Sequence, residues 1–292
     1  MRASPGKFCV IIAVLAVCAI LVAAGASVAQ EAKPSGWYVG ASIGINKTSG
    51  IEQAGHNRDN ICYPEDDCSH LVGGAPEGYR WFYDLDADDG AALEISVGRT
   101  FGDFRLELGL AQRKNDVEQK FTDITYLDGA RIMARPVSNY QSEANASIDD
   151  LTTRTLSLNA YYDFSIAGSR FTPYVGAGVG VSFVELSGVY FEARYSCKNP
   201  AMDCDMPEQY DGRQNEDLTD TVLSAHLHAG LDYRASDKML LGLKLTYSMV
   251  GDMEEVKGDY DFHPVPGISN FTTISGMNHF SVMLGVKYFF GE

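Results

Sequence analysis

The chain has 292 residues, with 23 Lys and Arg against 39 Asp and Glu, a formal charge of −16. That balance argues against a nucleic-acid binder, which needs a clustered positive face to release counterions from phosphates. Hydrophobic residues at 45% and charged residues at 21% exclude a disordered chain, and 29 Gly with 16 Tyr and 14 Phe point toward β structure.

Arg2 and Lys7 precede an unbroken apolar run from Phe8 to Ala24, followed by the small-residue sites Ala24-Gly25-Ala26 and Ser27-Val28-Ala29. This layout predicts a secretory signal peptide over residues 1–29, cleaved after Ala29 or Ala26, and a mature domain over 30–292. An uncleaved anchor helix is the alternative, because the apolar run is long. Cys18 is a poor lipidation site, since Val17 is too bulky for the position before it. Losing Arg2 and Lys7 leaves 21 bases against 39 acids, a charge of −18. Cys62, Cys68, Cys197 and Cys204 remain as two close pairs. An even count in an exported chain predicts two local disulfides, with a four-thiolate zinc site as the rival.

Eight segments then alternate apolar and polar residues with period two. They cover residues 37–46, 93–98, 104–110, 156–163, 174–183, 222–233, 239–250 and 278–290. In 239–250, for example, Met239, Leu241, Leu243, Leu245, Tyr247 and Met249 share one face, and Gly242, Lys244, Thr246 and Ser248 lie on the other. Short turns at 102–103, 165–169 and 235–238 alternate strictly with long excursions at 47–89, 114–152, 185–220 and 251–275. Long excursions confined to one end of an antiparallel sheet are the pattern of an outer-membrane barrel, with short periplasmic turns and long external loops.

A soluble lipocalin-like ligand carrier shows the same period with its apolar face turned inward. Three features favour the membrane. Ten strand glycines (Gly40, Gly44, Gly98, Gly109, Gly176, Gly178, Gly180, Gly230, Gly242 and Gly285) all lie on the polar face, as a narrow interior requires. Trp37, Phe101, Phe104, Tyr162, Phe164, Phe171, Tyr233, Tyr288 and Phe290 gather at the short-turn ends, as an interfacial girdle would. The four long excursions hold 31 acids and 11 bases, while the rest of the mature chain sums to +2.

From Gly36-Trp-Tyr-Val-Gly-Ala through Thr172-Pro-Tyr-Val-Gly-Ala-Gly-Val-Gly to Gly285-Val-Lys-Tyr-Phe-Phe290, the chain resembles the small eight-stranded outer-membrane barrels of the OmpA and opacity-protein type in Gram-negative bacteria. The resemblance implies an all-β fold: an antiparallel up-and-down transmembrane β-barrel of eight strands, four long extracellular loops and three short periplasmic turns. It also implies that the last strand is read by barrel assembly machinery, although Gly291-Glu292 after the last Phe departs from the usual terminal aromatic. No further domain is expected after the barrel. A ten-stranded barrel is the variant, if residues 119–126 pair as an extra hairpin at membrane depth.

The inward face carries Glu94, Arg105, Glu107, Arg113, Asp163, His226, His228, Asp232, Lys244, His279 and Lys287. Mixed signs removed from water must pair, so these predict a polar network that plugs the lumen. His226 and His228 face the same way two residues apart and are weak metal candidates, because a site needs a third clustered ligand and only His279, on a strand distant in sequence, is available. Ser224 with His226 is the nearest approach to a nucleophile and base for a lipid A-modifying enzyme, and the nucleophile-elbow pattern is absent. Asp84-Leu-Asp86-Ala-Asp88-Asp89-Gly90 looks like a calcium loop but has Asp89 where glycine is needed and Ile95 where glutamate is needed. No catalytic residue, cofactor or metal is therefore assigned. Val189-Tyr-Phe191 with Tyr195, and Phe271-Thr-Thr-Ile274, read as strands prolonged above the membrane. The expectation is a monomeric, non-enzymatic surface protein surrounded by outer-membrane lipid and lipopolysaccharide. Its acidic, disulfide-clipped loops would support envelope integrity or bind an extracellular or host partner. A narrow passive pore is the second reading.

Overall fold

The structure is a computed structural model that describes residues 34–48, 50–202 and 204–290. The expected signal peptide and Gly291-Glu292 lie outside the described residues.

Eight strands form a closed antiparallel ring: β1 (Trp37–Thr48), β4 (Gly90–Phe101), β5 (Phe104–Tyr126), β7 (Asp150–Asp163), β8 (Phe171–Cys197), β9 (Gly212–Ser236), β10 (Met239–Val250) and β13 (His279–Phe290). Each pairs with the next, and β13 closes on β1 from Trp37 opposite Phe290 to Thr48 opposite His279. Closure leaves the ring no free edge, so neighbouring strands supply one another's backbone hydrogen bonds where lipid offers none. The two-residue turn between β4 and β5 uses Gly102 at φ +65°, where a side chain would be strained.

The two faces are sorted as a membrane requires. Ile43, Leu158 and Leu284 point outward at 64%, 57% and 65% exposure, whereas Arg105 points inward at 1%. This excludes the lipocalin-like alternative, whose apolar face would be the buried one. Glycine leaves room for inward tyrosines. A methyl group on Gly98 would overlap the Tyr38 ring, one on Gly176 the Tyr161 ring, and one on Gly230 the Tyr174 ring. Trp37, Phe101, Phe104, Tyr162, Phe171, Tyr288 and Phe290 face outward near the short-turn end, with Phe164 and Tyr233 partly covered there.

Above this ring the wall continues. Its second tier contains β2 (Ile51–His56), β3 (Tyr79–Ala87), β6 (Tyr140–Ser147), β11 (Met253–Asp259), β12 (Ser269–Ser275) and the upper halves of β5, β8 and β9. Ladders join β11 to β12, β12 to β2, β2 to β3, β3 to upper β5, β6 to upper β8, and upper β8 to upper β9. Strand β5 changes partner at the rim, from Ala91 opposite Lys114 to Ala87 opposite Val117. The excursions expected as loops are thus largely strand, in the same circular order as the ring below.

Two seams interrupt the second tier among the described residues. No ladder joins β5 to β6, and β9 meets β11 beside a single bridge between Arg213 and Phe262. The segment 119–126 makes no extra hairpin in the membrane. It prolongs β5 and pairs with β3, so the ring keeps eight strands.

Candidate functional site

The barrel interior is layered. Nearest the short turns, Arg105 places Nη2 2.9 Å from Asp163 and Nη1 3.1 Å from Asp232, with its guanidinium over the Tyr161 and Tyr174 rings. Lys287 Nζ sits 2.7 Å from Asp232, and Lys244 Nζ sits 2.7 Å from Glu94 and 3.6 Å from Glu107. The hydroxyls of Tyr38 and Tyr161 each donate to Glu107 at 2.8 Å. Cations and carboxylates are interleaved, which offsets the cost of removing each from water.

A hydroxyl and imidazole layer follows. His226 bonds Ser248 Oγ through Nδ1 (2.9 Å) and Ser224 Oγ through Nε2 (3.2 Å). His228 bonds Thr246 and Asn159, and His279 bonds Thr48. These rings are held apart by their own partners, and no group of three metal-ligating side chains forms among the described residues. Ser224 and His226 do lie within reach, but the far imidazole nitrogen meets Ser248 rather than the carboxylate that orients a catalytic histidine.

Above the hydroxyl layer, Ile51, Leu151, Val184, Leu186, Leu218, Met253, Ile274 and Met277 pack with other apolar side chains into a single buried cluster at the junction of the tiers. Period two is what drives this: the same alternation that points polar residues inward lower down delivers Leu, Ile, Val and Met inward at the rim.

Over that septum the second tier encloses a cavity of about 610 Å³. Its lining is aromatic and acidic. Trp81 and Tyr83 come from β3, Phe121 from β5, Tyr190, Phe191 and Tyr195 from β8, and Tyr63 from the connection between β2 and β3. Tyr63 donates to Asp59 Oδ2 at 2.7 Å, and Asp59 also faces His263 Nε2 at 3.4 Å. Tyr79 donates to Ile61 O (2.8 Å) and lies 3.1 Å from Asp66 Oδ2.

Burial raises the hydroxyls of Tyr63, Tyr79 and Tyr195 well above the usual tyrosine range. Burial also pushes the Asp66 carboxyl up to about 6, against the hydrogen bond from Tyr79, with the charge of Glu65 adding to the rise.

Disulfides join Cys62 to Cys68 and Cys197 to Cys204. The first closes the short loop holding Tyr63, Glu65 and Asp66, and the second lies between Tyr195 and Tyr210 in the chain. The Asp84–Gly90 acids do not form an ion loop. Asp84 and Asp86 point outward from β3, and Asp89 lies 3.5 Å from Lys47.

Sequence reasoning singled out Tyr190, Phe191 and Tyr195 but missed Asp59, Tyr63, Tyr79, Trp81, Tyr83, Phe121 and Tyr210. The alternation of Tyr79, Trp81 and Tyr83 on one strand face was the available signal.

A closed antiparallel barrel that is apolar outside and charged inside is an integral barrel of the outer membrane. The chain belongs to the outer membrane protein beta-barrel domain family, whose model matches residues 16–287. A search of curated proteins found no match to the sequence. Among solved structures, Neisserial surface protein A is 15% identical, covering 88% of this chain and 98% of its own, with a TM-score of 0.44. OprG from Pseudomonas aeruginosa is also 15% identical, covering 88% and 97%, with a TM-score of 0.39. Ail of Yersinia pestis is 11% identical, covering 87% and 99%, with a TM-score of 0.29.

Proposed function

We propose that this protein is a non-enzymatic surface binding protein, whose outer tier holds an external ligand in the chamber above the septum. The single observation carrying this reading is the 610 Å³ cavity, within the range of small-molecule sites. It is lined by rings and a few polar groups rather than by an acid, base and nucleophile set. The apolar septum and the paired charges beneath it argue against a passive pore, because eight strands leave an interior that side chains can fill. The Ser224 and His226 pair lies below the septum, out of reach of a lipid headgroup, which argues against the lipid-modifying reading. Lipopolysaccharide is the expected neighbour of the apolar wall, and barrel assembly machinery the expected partner during insertion.

The test is a screen of fragment-sized aromatic compounds by ligand-observed NMR, using the refolded barrel and an Ala193→Trp variant that fills the chamber. Compounds should bind the parent and lose binding in the variant, with both proteins retaining a mobility shift on boiling. Equal binding by both proteins overturns the chamber as the site.

A further inference from the structure

We infer that the chamber takes an organic cation: an amine or guanidinium carried on an aromatic or apolar body. This inference rests on the chamber being the ligand site. Three independent features of the lining define the chemistry.

The first is charge. Asp59, Glu65 and Asp66 line the chamber, and no Lys or Arg does among the described residues. His263 is the basic side chain present, and it faces Asp59. Asp66 is only 7% exposed and, like Glu65, makes no ion pair among the described residues. An anion entering this space meets carboxylates in a poorly screened setting, whereas a cation relieves their mutual repulsion.

The second is hydrogen-bond valence. Glu65 Oε1 accepts from Ser142 Oγ at 2.7 Å, and the Tyr195 hydroxyl bonds the same carboxylate. Gln119 spends its amide on Gln53 (2.6 Å) and leaves its own carbonyl Oε1 buried and unmatched. The unmatched atom Gln119 Oε1 is an acceptor, and a buried acceptor without a donor is costly. The fitting ligand therefore brings N–H donors.

The third is the rings. Tyr63 stacks on Tyr195, and Tyr83 meets Phe121 edge-on at 5.4 Å. Aromatic faces attract cations most strongly where water is excluded. The chamber extends to the unpaired seam, with Phe121 and Ile124 of β5 on one side and Ala144 and Ala146 of β6 on the other. That seam gives a ligand a way in from outside without opening the ring below.

The test uses three probes of one shape and different charge: naphthylmethylamine, naphthylmethanol and naphthoate. Each is titrated at neutral pH into the full mature barrel in zwitterionic micelles and followed by ligand-observed NMR. The amine should bind about tenfold more tightly than the alcohol, a difference of about 1.4 kcal/mol, and naphthoate should bind most weakly. Glu65→Gln combined with Asp66→Asn should abolish the tenfold preference, so that this variant binds the amine and the alcohol equally. Gln119→Glu, which adds a carboxylate without removing a native acid, should tighten the amine alone. Equal affinity for amine and alcohol in the parent overturns the cation inference and leaves the chamber reading standing. Failure of all three probes to bind overturns both.

Discussion

The ring of Tyr63 stacks on that of Tyr195, with centroids 5.6 Å apart and planes within 14° of parallel. Tyr63 follows Cys62 directly and Tyr195 stands two residues before Cys197, so one aromatic contact couples a disulfide-closed loop to the strand end that leads into the other disulfide, 132 positions away. The chamber wall depends on both segments holding their shape.

Reduction should therefore loosen the outer tier while leaving the ring intact. Each disulfide closes a loop short enough to contribute about 2 kcal/mol in the chain-entropy account. With Cys62→Ala and Cys68→Ala together, or after treatment with a thiol reductant, limited proteolysis should cut near residues 58–77. The boiled and unboiled gel bands should remain as distinct as in the parent. Loss of the unboiled fast band on reduction would show that the ring, too, depends on the clips.

Arg105 is the hub of the lower lumen, held between Asp163 and Asp232 at 1% side-chain exposure. Arg105→Met keeps most of the volume but removes a shared cation from two buried carboxylates, leaving Lys287 beside Asp232. The expected loss is about 3–5 kcal/mol, the usual cost of removing one partner from a buried ion pair. Urea denaturation followed by loss of the fast gel band measures it. Arg105→Lys, which keeps a cation between the two carboxylates, should lose less, and an equal loss would mean that the lost packing on Tyr161 and Tyr174 dominates.

The ring was legible in the sequence because lipid outside and a packed lumen inside enforce strict alternation, as along Met239 to Val250. The second tier was legible only where aromatic and β-branched residues prolong a strand, at Val189 to Tyr195 of β8 and Phe271 to Ile274 of β12. β6 reads Tyr140-Gln-Ser-Glu-Ala-Asn-Ala-Ser147 with exposed residues on both faces, so its sequence carries no two-sided signal. Upper β9 hides its strand character among acids that face water. The chamber was harder still. Tyr63, Tyr79, Tyr195 and Tyr210 converge only after strand partners change at the rim, and nothing local in the sequence encodes that switch.

The apolar septum makes a prediction about conductance. Leu186, Met253 and Met277 are each 0–1% exposed within it. The parent barrel should give no sustained single-channel steps in a planar bilayer. Leu186→Ala should cost about 2–5 kcal/mol through the cavity it opens, without creating a conducting path. The triple change Leu186→Ser, Met253→Ser and Met277→Ser should wet the layer but leave the ion-paired layer beneath it as a second barrier. Steady conductance in the parent would overturn the view of a closed lumen.

Asp66 gives the outer tier a dependence on pH whose sign follows from its surroundings. Its carboxyl stands at about 6 in the folded chain, against an ordinary value of 3.8, because burial and then the charge of Glu65 disfavour ionisation more than Tyr79 and Arg135 favour it. Between those two values the folded state binds more protons than the unfolded one. The contribution to stability is therefore greatest below about pH 4 and is lost as pH rises through about 6. Cation binding should run the other way, since protonated Asp66 offers no charge: affinity for the naphthyl amine should fall as pH drops below about 6. Protection of the outer tier from an acid-tolerant protease should meanwhile increase over the same interval. Asp66→Asn should flatten both profiles. If the amine titration keeps its inflection near pH 6 in that variant, Asp66 does not carry it and the assignment is overturned.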